Sequence, residues 1–444
     1  MMRTQFNFKY IIAISFISAL GGYLFGFDFA VISGALPFLK VQFGLNEYWE
    51  GFTTGCLALG AIIGCLIAGG VAEKYGRRYG LLTAASIFAI SSLGMATANN
   101  LTIFIFARFV AGIGVGMASM LSPLYIAEVT PSHIRGRMVA INQLTIVIGI
   151  LVTNLVNYSL RDNGTEAWRW MFGLGVIPSA LFIIGVIWLP ESPRWLLQVG
   201  KRGKAQKILS KIGGENYAAE SLISMDKTII AHSKISYKSL FGKVVFPAVL
   251  IGIGLAVFQQ LCGINVVFNY TSVLFESIGF SKDDQLLETV FIGAINLIFT
   301  ILAMLLVDKL GRKPLMLIGA GGLAILYVII ANLLGVRSAN VSWFLLAAIG
   351  LYATSLAPVT WVLISEIFPN KIRGKASSIA ILALWGAYFV LVFTFPILAE
   401  KLGTFGPFWM YAVVCFVGFW FIKLKVKETK GKTLEELEDV FSGH

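Results

Sequence analysis

Twelve apolar runs, each near the ~20 residues a helix needs to cross about 30 Å of hydrocarbon, constrain this chain more than any other feature. They fall at 10–36, 51–72, 79–97, 101–127, 138–160, 168–189, 245–274, 286–307, 314–336, 341–365, 376–399 and 405–424. The residues between them cannot dilute so much apolar surface: 57% of the chain is hydrophobic and 13% charged, against about 25% charged in ordinary soluble domains. Mean hydropathy is +0.81. The spacing predicts an all-α membrane protein with twelve transmembrane helices. The first run follows Arg3 and Lys9 as a signal peptide would, but it is too long for one and lacks an A-x-A-like cleavage site. It is read as the first membrane helix.

Lys and Arg concentrate in the cytoplasmic loops of membrane proteins. With the N-terminus inside, 28 of the 35 basic residues fall on the cytoplasmic side and six on the other, with Arg108 inside a span. Leaving out the long loop at 190–244 still gives 18 against six. Both termini are therefore expected in the cytoplasm, in contact with a lipid bilayer, and the +12 net charge reads as a topology signal, not as a nucleic-acid-binding surface. Cys56, Cys65, Cys262 and Cys415 lie inside apolar runs without metal-type spacing, so neither a disulfide framework nor a metal site is expected. Asn100, Asn163 and Asn340 begin N-x-S/T triplets, which arise by chance as readily as for glycosylation.

The chain is also duplicated. AEVTPSHIRGR at 127–137 returns as SEIFPNKIRGK at 365–375, and EKYGRR at 73–78 returns as DKLGRK at 308–313. Offsets of 238 and 235 residues are far too long for a solenoid, whose periods run from about 20 to 50. The expected organisation is an N-terminal six-helix bundle at 1–189, a cytoplasmic linker with short helices at 190–244, a pseudo-symmetric six-helix bundle at 245–424 and a cytoplasmic tail at 425–444. Two such halves suggest a central site reached alternately from each side.

Over nearly its whole length the chain resembles the sugar porter family of the major facilitator superfamily, and within it the bacterial proton-coupled xylose, arabinose and galactose symporters. The motifs that carry the resemblance are FGFDFAVISGAL at 25–36, EKYGRR, ARFVAG at 107–112, AEVTPSHIRGR, PESPRWL at 190–196, QQLCGINVVF at 259–268, DKLGRK, SEIFPNKIRGK and ETKGKT at 428–433. Each is weak alone, and their order and spacing together are specific. The resemblance implies a monosaccharide substrate, proton coupling, no cofactor and a functional monomer.

Glu128 and Arg135, like Glu366 and Arg373, sit where helices 4 and 10 reach the cytoplasm, within range of Arg77, Arg78, Arg312 and Lys313. Carboxylates at matched places in both halves predict ion-pair clusters that latch the halves shut on the inside. By resemblance Glu191 and Arg194 of PESPRWL join them, and GKAQKILSKIG in the linker matches the family's short intracellular helices.

Asp28 in helix 1 and Arg108 in helix 4 are the two ionisable residues expected deep inside spans. An intramembrane charge is costly and marks function by default. Burial favours a neutral acid and a guanidinium alongside favours the carboxylate, so a change in their separation would move a proton. The resemblance agrees, since proton-driven members carry Asp at this place. A static structural pair is the alternative.

A sugar offers hydroxyls and weakly apolar C–H faces, so its site is expected to use amides, which both donate and accept. Gln143 in helix 5, Gln259, Gln260 and Asn265 in helix 7 and Asn296 in helix 8 supply them, and Trp361 and Trp385 offer faces to stack on. By resemblance all of these except Trp385 match the family's sugar-contacting positions. The alternative for any single amide is interhelical glue. Several residues depart from the family pattern: Leu384 replaces the usual amide, Asn269 stands where tyrosine is usual, and Ile150 with Phe268 looks more like glucose carriers. Ala357 and Lys427 depart from the usual Gly-Pro and Pro-Glu-Thr patterns. Hexose rises relative to pentose on these grounds.

Enzyme readings find little support. His133, His232 and His444 fall in expected loops or the tail without a catalytic partner, and no Walker motif suggests ATP drive. The glycines of GIGVGMA at 112–118 lie mid-helix and follow no strand, so close helix packing is the better account than nucleotide binding. A proton-coupled symporter is the first reading, a facilitative sugar uniporter the second and a transporter-like sugar sensor the third.

Overall fold

In the computed structural model, residues 6–232, 240, 242, 245–368 and 373–430 are described, with the side chains at 227–232, 308, 365 and 373 excepted. Apolar length organises what is seen. The N-terminal helices are α1 (Phe8–Phe43), α2 (Glu47–Tyr75), α3 (Arg77–Ala96), α4 (Leu101–Val129), α5 (Arg135–Ser159), α6 (Ala167–Gly173) and α7 (Val176–Trp188). The shorter α8 (Pro193–Gln198) and the kinked α9 (Arg202–His232) follow. Beyond them come α10 (Phe246–Leu261), α11 (Ile264–Asn269), α12 (Thr271–Ser277), α13 (Lys282–Leu310), α14 (Arg312–Gly335), α15 (Val341–Thr354), α16 (Leu356–Ile367), α17 (Arg373–Leu402) and α18 (Gly406–Lys425). Among the described residues there is no strand. Among the described residues, twelve segments are long and apolar enough to cross a membrane, one for each apolar run of the sequence.

Three of the expected spans are broken. The sixth divides into α6 and α7, the tenth divides into α15 and α16 at Ser355, and the seventh divides into α10, α11 and α12, with breaks at Cys262–Gly263 and Tyr270. A break frees backbone groups that lipid cannot satisfy, so such segments persist where neighbouring groups re-satisfy them. At the breaks of the seventh span, Cys262 Sγ donates to the Gln259 carbonyl at 3.0 Å and Asn269 Nδ2 to the Asn265 carbonyl at 2.6 Å, while the Tyr270 hydroxyl ties the segment to the Val392 carbonyl of α17.

Two compact units emerge, one from Met1–Asp28, Gly60–Gly149 and Phe172–Ile235, the other from Phe29–Leu59, Ile150–Met171 and Ser236–His444. In the first, α3 packs on α4 and α7, and α8 packs on α9. Here α2 and α4 approach to backbone contact: a Cβ at Gly116 would lie 2.2 Å from the Ala61 carbonyl oxygen. The glycines of 112–118 therefore serve close helix packing. In the second unit, α14 packs against α15 and α18, α10 against α16 and α17, and α13 against α15.

Candidate functional site

Within the first unit, Asp28 of α1 and Arg108 of α4 are both fully buried, with Arg108 Nη1 3.6 Å from Asp28 Oδ1. Among the described residues, neither carboxylate oxygen and none of Nε, Nη1 and Nη2 has a hydrogen-bond partner. The guanidinium lies 5.8 Å over the Phe172 ring centroid. A static buried ion pair is expected to be well hydrogen-bonded, because desolvation otherwise outweighs the attraction. This one is held by charge, without a hydrogen bond between the two groups among the described residues.

A second ion pair, with only its carboxylate buried, stands where α1 ends and α2 begins. Lys40 Nζ is 3.0 Å from Glu50 Oε2, and Glu50 is 2% exposed. An apolar run that ends at residue 36, before Pro37, places both residues in a loop. In the structure α1 runs through Pro37 to Phe43 and α2 begins at Glu47, so both residues become helical and face each other.

The amides of the second unit gather around the break in the seventh span. Gln260 Nε2 donates to Gln259 Oε1 at 3.3 Å, Asn265 Nδ2 donates to Gln260 Oε1, and Gln259 Nε2 donates to the Ala357 carbonyl at 3.3 Å. All three amide residues are buried. The break makes this run possible: with α10 ending at Leu261 and α11 starting at Ile264, Asn265 turns back onto Gln260. Asn296 of α13 is buried, Trp385 of α17 is buried, and Trp361 of α16 is 40% exposed. In the first unit, Gln143 of α5 is half-buried.

Where spans 2 and 3 meet, Arg77 forms a two-point ion pair with Glu128: Nε donates to Oε2 and Nη2 to Oε1, each at 2.9 Å. Ser192 Oγ donates to Glu128 Oε2 at 2.5 Å. Glu191 accepts the backbone N–H groups of Arg77 at 2.9 Å, Arg78 at 3.2 Å and Ser192 at 2.8 Å. The second unit repeats this arrangement. Arg312 Nη2 donates to Glu366 Oε1 at 3.3 Å, Thr429 Oγ1 to Glu366 Oε2 at 2.5 Å, and Glu428 accepts Arg312 N and Lys313 N at 3.0 Å each. Both clusters turn on a glycine at the helix start, Gly76 (φ 102°, ψ 163°) and Gly311 (φ 94°, ψ 162°), a conformation that side chains disfavour. A Cβ on Gly76 would also fall 2.1 Å from Glu191 Oε2.

The sequence reading named Glu191 but missed Glu428 and Thr429 as its counterparts. The signal was present: Glu-Ser at 191–192 and Glu-Thr at 428–429 are separated by an offset that lies between those of the two recognised repeats. Arg135 is exposed at the start of α5, and the side chain of Arg373 lies outside the described residues. The two carboxylates differ electrostatically. Burial raises the Glu191 pKa more than its backbone donors lower it, whereas at Glu428 burial is outweighed by the N–H groups of Lys430, Arg312, Lys313 and Thr429, which hold it below the usual range. As pH falls, Glu191 takes up a proton before Glu428, and its hold on the backbone N–H groups of Arg77, Arg78 and Ser192 weakens first.

Residues 14–441 match the family described as "Sugar (and other) transporter". The chain is 40% identical to the D-xylose-proton symporter of Escherichia coli (strain K12), over 98% of this chain and 97% of that relative. It is 37% identical to the arabinose-proton symporter of Bacillus subtilis (strain 168), over 97% of this chain and 95% of that relative. A solved structure of the major facilitator proton:xylose symporter XylE, bound to 6-bromo-6-deoxy-D-glucose, superposes with a TM-score of 0.84 at 38% identity, covering 98% of this chain and 100% of that one.

Proposed function

Because the chain belongs to the sugar transporter family, we propose that it is a proton-coupled monosaccharide symporter working by alternating access. It is a multi-pass membrane protein of the major facilitator superfamily fold, and a transporter, not an enzyme. The observation that carries the reading is end-to-end likeness to two proton-driven pentose symporters. The substrate is a pentose or hexose such as D-xylose, L-arabinose, D-galactose or D-glucose. A relative named for xylose that binds a glucose derivative supports a site open to pentoses and hexoses alike.

In this reading Asp28 carries the coupling proton, and Arg108 sets when the carboxylate holds it. Gln143, Gln259, Gln260, Asn265 and Asn296 exchange hydrogen bonds with sugar hydroxyls, and Trp361 and Trp385 offer faces to its C–H groups. Arg77, Glu128, Arg135 and Glu191, with Arg312, Glu366 and Arg373, form the cytoplasmic latch. The protein works as a monomer in a bacterial cell membrane with both termini in the cytoplasm. A single cysteine placed in 275–285 is expected to react with an impermeant thiol reagent from outside, and one at 205 is not; the reverse pattern would invert the orientation.

The function is tested by reconstituting the protein in liposomes and following labelled pentoses and hexoses with and without an imposed pH gradient, acid outside. Symport predicts uphill accumulation of at least one sugar under the gradient only. Equilibration without accumulation would make it a facilitative carrier, and binding without flux would make it a sensor.

A further inference from the structure

Asn269 and Tyr388 have no part in the roles above, yet both are buried in the second unit. The Tyr388 hydroxyl donates to Asn269 Oδ1 at 3.2 Å, and Asn269 Nδ2 donates to the Asn265 carbonyl at 2.6 Å. From Asn265 the run continues through its side chain to Gln260 and on to Gln259. The hydrogen bonds therefore tie α17 to the backbone of Asn265, whose side chain belongs to the amide cluster at the break between α10 and α11. The ring of Tyr388 is fixed as well, edge-on to Trp385 at 5.8 Å and 5.8 Å from Phe29, the neighbour of Asp28 in α1. Phe29 in turn stands edge-on to Phe268 at 5.7 Å. Asn269 is one of the departures from the family pattern, standing where tyrosine is usual. In this chain Asn269 accepts instead from a phenol of α17.

We infer that Tyr388, acting through Asn269, is a positioning residue that sets which sugar this carrier prefers. The inference rests on the sugar-symporter reading. An amide discriminates between sugars only if its donor and acceptor directions are fixed, because a mobile amide adapts to whichever hydroxyls arrive and leaves none of its own groups unpaired. Asn265 sits on α11, a helix of a single short segment between two breaks. Asn269 ends that segment, and the Tyr388 hydroxyl holds Asn269. The same phenol ring braces Trp385, so one side chain sets both the polar and the aromatic elements proposed to meet the sugar. If the pair merely fastened α11 to α17, its loss would lower stability without altering discrimination.

The test uses full-length protein in liposomes, with KM and kcat for D-xylose and D-glucose measured under an imposed pH gradient. Tyr388→Phe removes one oxygen and keeps the ring. It is expected to raise KM for the better of the two sugars by about three- to tenfold, the loss of one buried hydrogen bond, with kcat held within about twofold. The KM ratio between the sugars should narrow. Asn269→Leu, which keeps the approximate size of the side chain and removes its bonds to both Tyr388 and the Asn265 carbonyl, should narrow the ratio in the same direction. An unchanged ratio in Tyr388→Phe, or equal KM increases for both sugars with a lowered melting temperature, would overturn the inference while leaving the transporter reading intact. A wild-type protein that moves neither these sugars nor any other monosaccharide would defeat that reading, and this inference with it.

Discussion

Asp28→Asn is expected to abolish pH-driven sugar accumulation while sparing exchange between two equal sugar pools. If one proton enters with each sugar, a potential of roughly 100 mV contributes about 2.3 kcal/mol and one pH unit about 1.36 kcal/mol. Together they support accumulation on the order of five-hundredfold at about 1.4 kcal/mol per tenfold, all of which should vanish with the titrating group. Asparagine keeps most of the size of the carboxyl and removes only its charge and proton. Exchange needs no net proton movement and should survive in part.

The geometry warns that the single variant carries a second effect. Arg108 is fully buried at 3.6 Å from Asp28, so neutralising the acid strands a guanidinium, and removing one partner of a buried pair typically costs about 3–5 kcal/mol. Asp28→Asn combined with Arg108→Gln removes both charges and keeps the test interpretable if the single variant folds poorly. Both modes are measured in liposomes against the wild type. Continued pH-driven accumulation in either folded variant would show that the coupling proton sits elsewhere, and Glu50, the other nearly inaccessible carboxylate beside a lysine, would be examined next.

That pair also marks where the sequence could and could not be read. Twelve spans were legible because each requires a long apolar run and nothing else in the chain resembles one. The ends were less legible, since Pro37 reads as a stop and Lys40 and Glu50 read as loop residues until α1 and α2 are seen to run on and bring them together. Breaks inside the sixth and tenth spans leave little trace in hydropathy, because their flanks remain largely apolar, and at the seventh the flanking polarity of Gln259, Gln260, Asn265 and Asn269 reads as a binding signal instead of a break. Internal repetition places Glu128 and Glu366 within range of Arg77, Arg78, Arg312 and Lys313, and the structure pairs Arg77 with Glu128 and Arg312 with Glu366. It did not give Glu428, whose motif was read by itself and not laid over Glu191. The amides of 259–265 were legible as polar residues in a membrane helix, but the partner of a tyrosine hydroxyl such as Tyr388 depends on which helix packs opposite, which a single sequence does not state.

Gln260→Ala is expected to weaken sugar binding by about 1 to 3 kcal/mol, the penalty for leaving buried hydrogen-bonding groups unpaired, or roughly five- to 150-fold in Kd. The structure explains why this amide should matter more than a single contact. Gln260 is both donor and acceptor within the run: its Nε2 reaches Gln259 Oε1 at 3.3 Å, and its Oε1 accepts from Asn265 Nδ2. Truncation removes one proposed sugar contact and leaves two neighbouring amides free to turn, so the site must be ordered again on binding. Alanine also raises helix propensity slightly at this position in α10, so a large loss of stability is not expected from the backbone. Calorimetric titration of purified protein with D-xylose and D-glucose, with the melting temperature as control for folding, measures the effect. Wild-type affinity for both sugars in a folded Gln260→Ala protein would take Gln260 out of the site and leave it as a strut between α10 and α11.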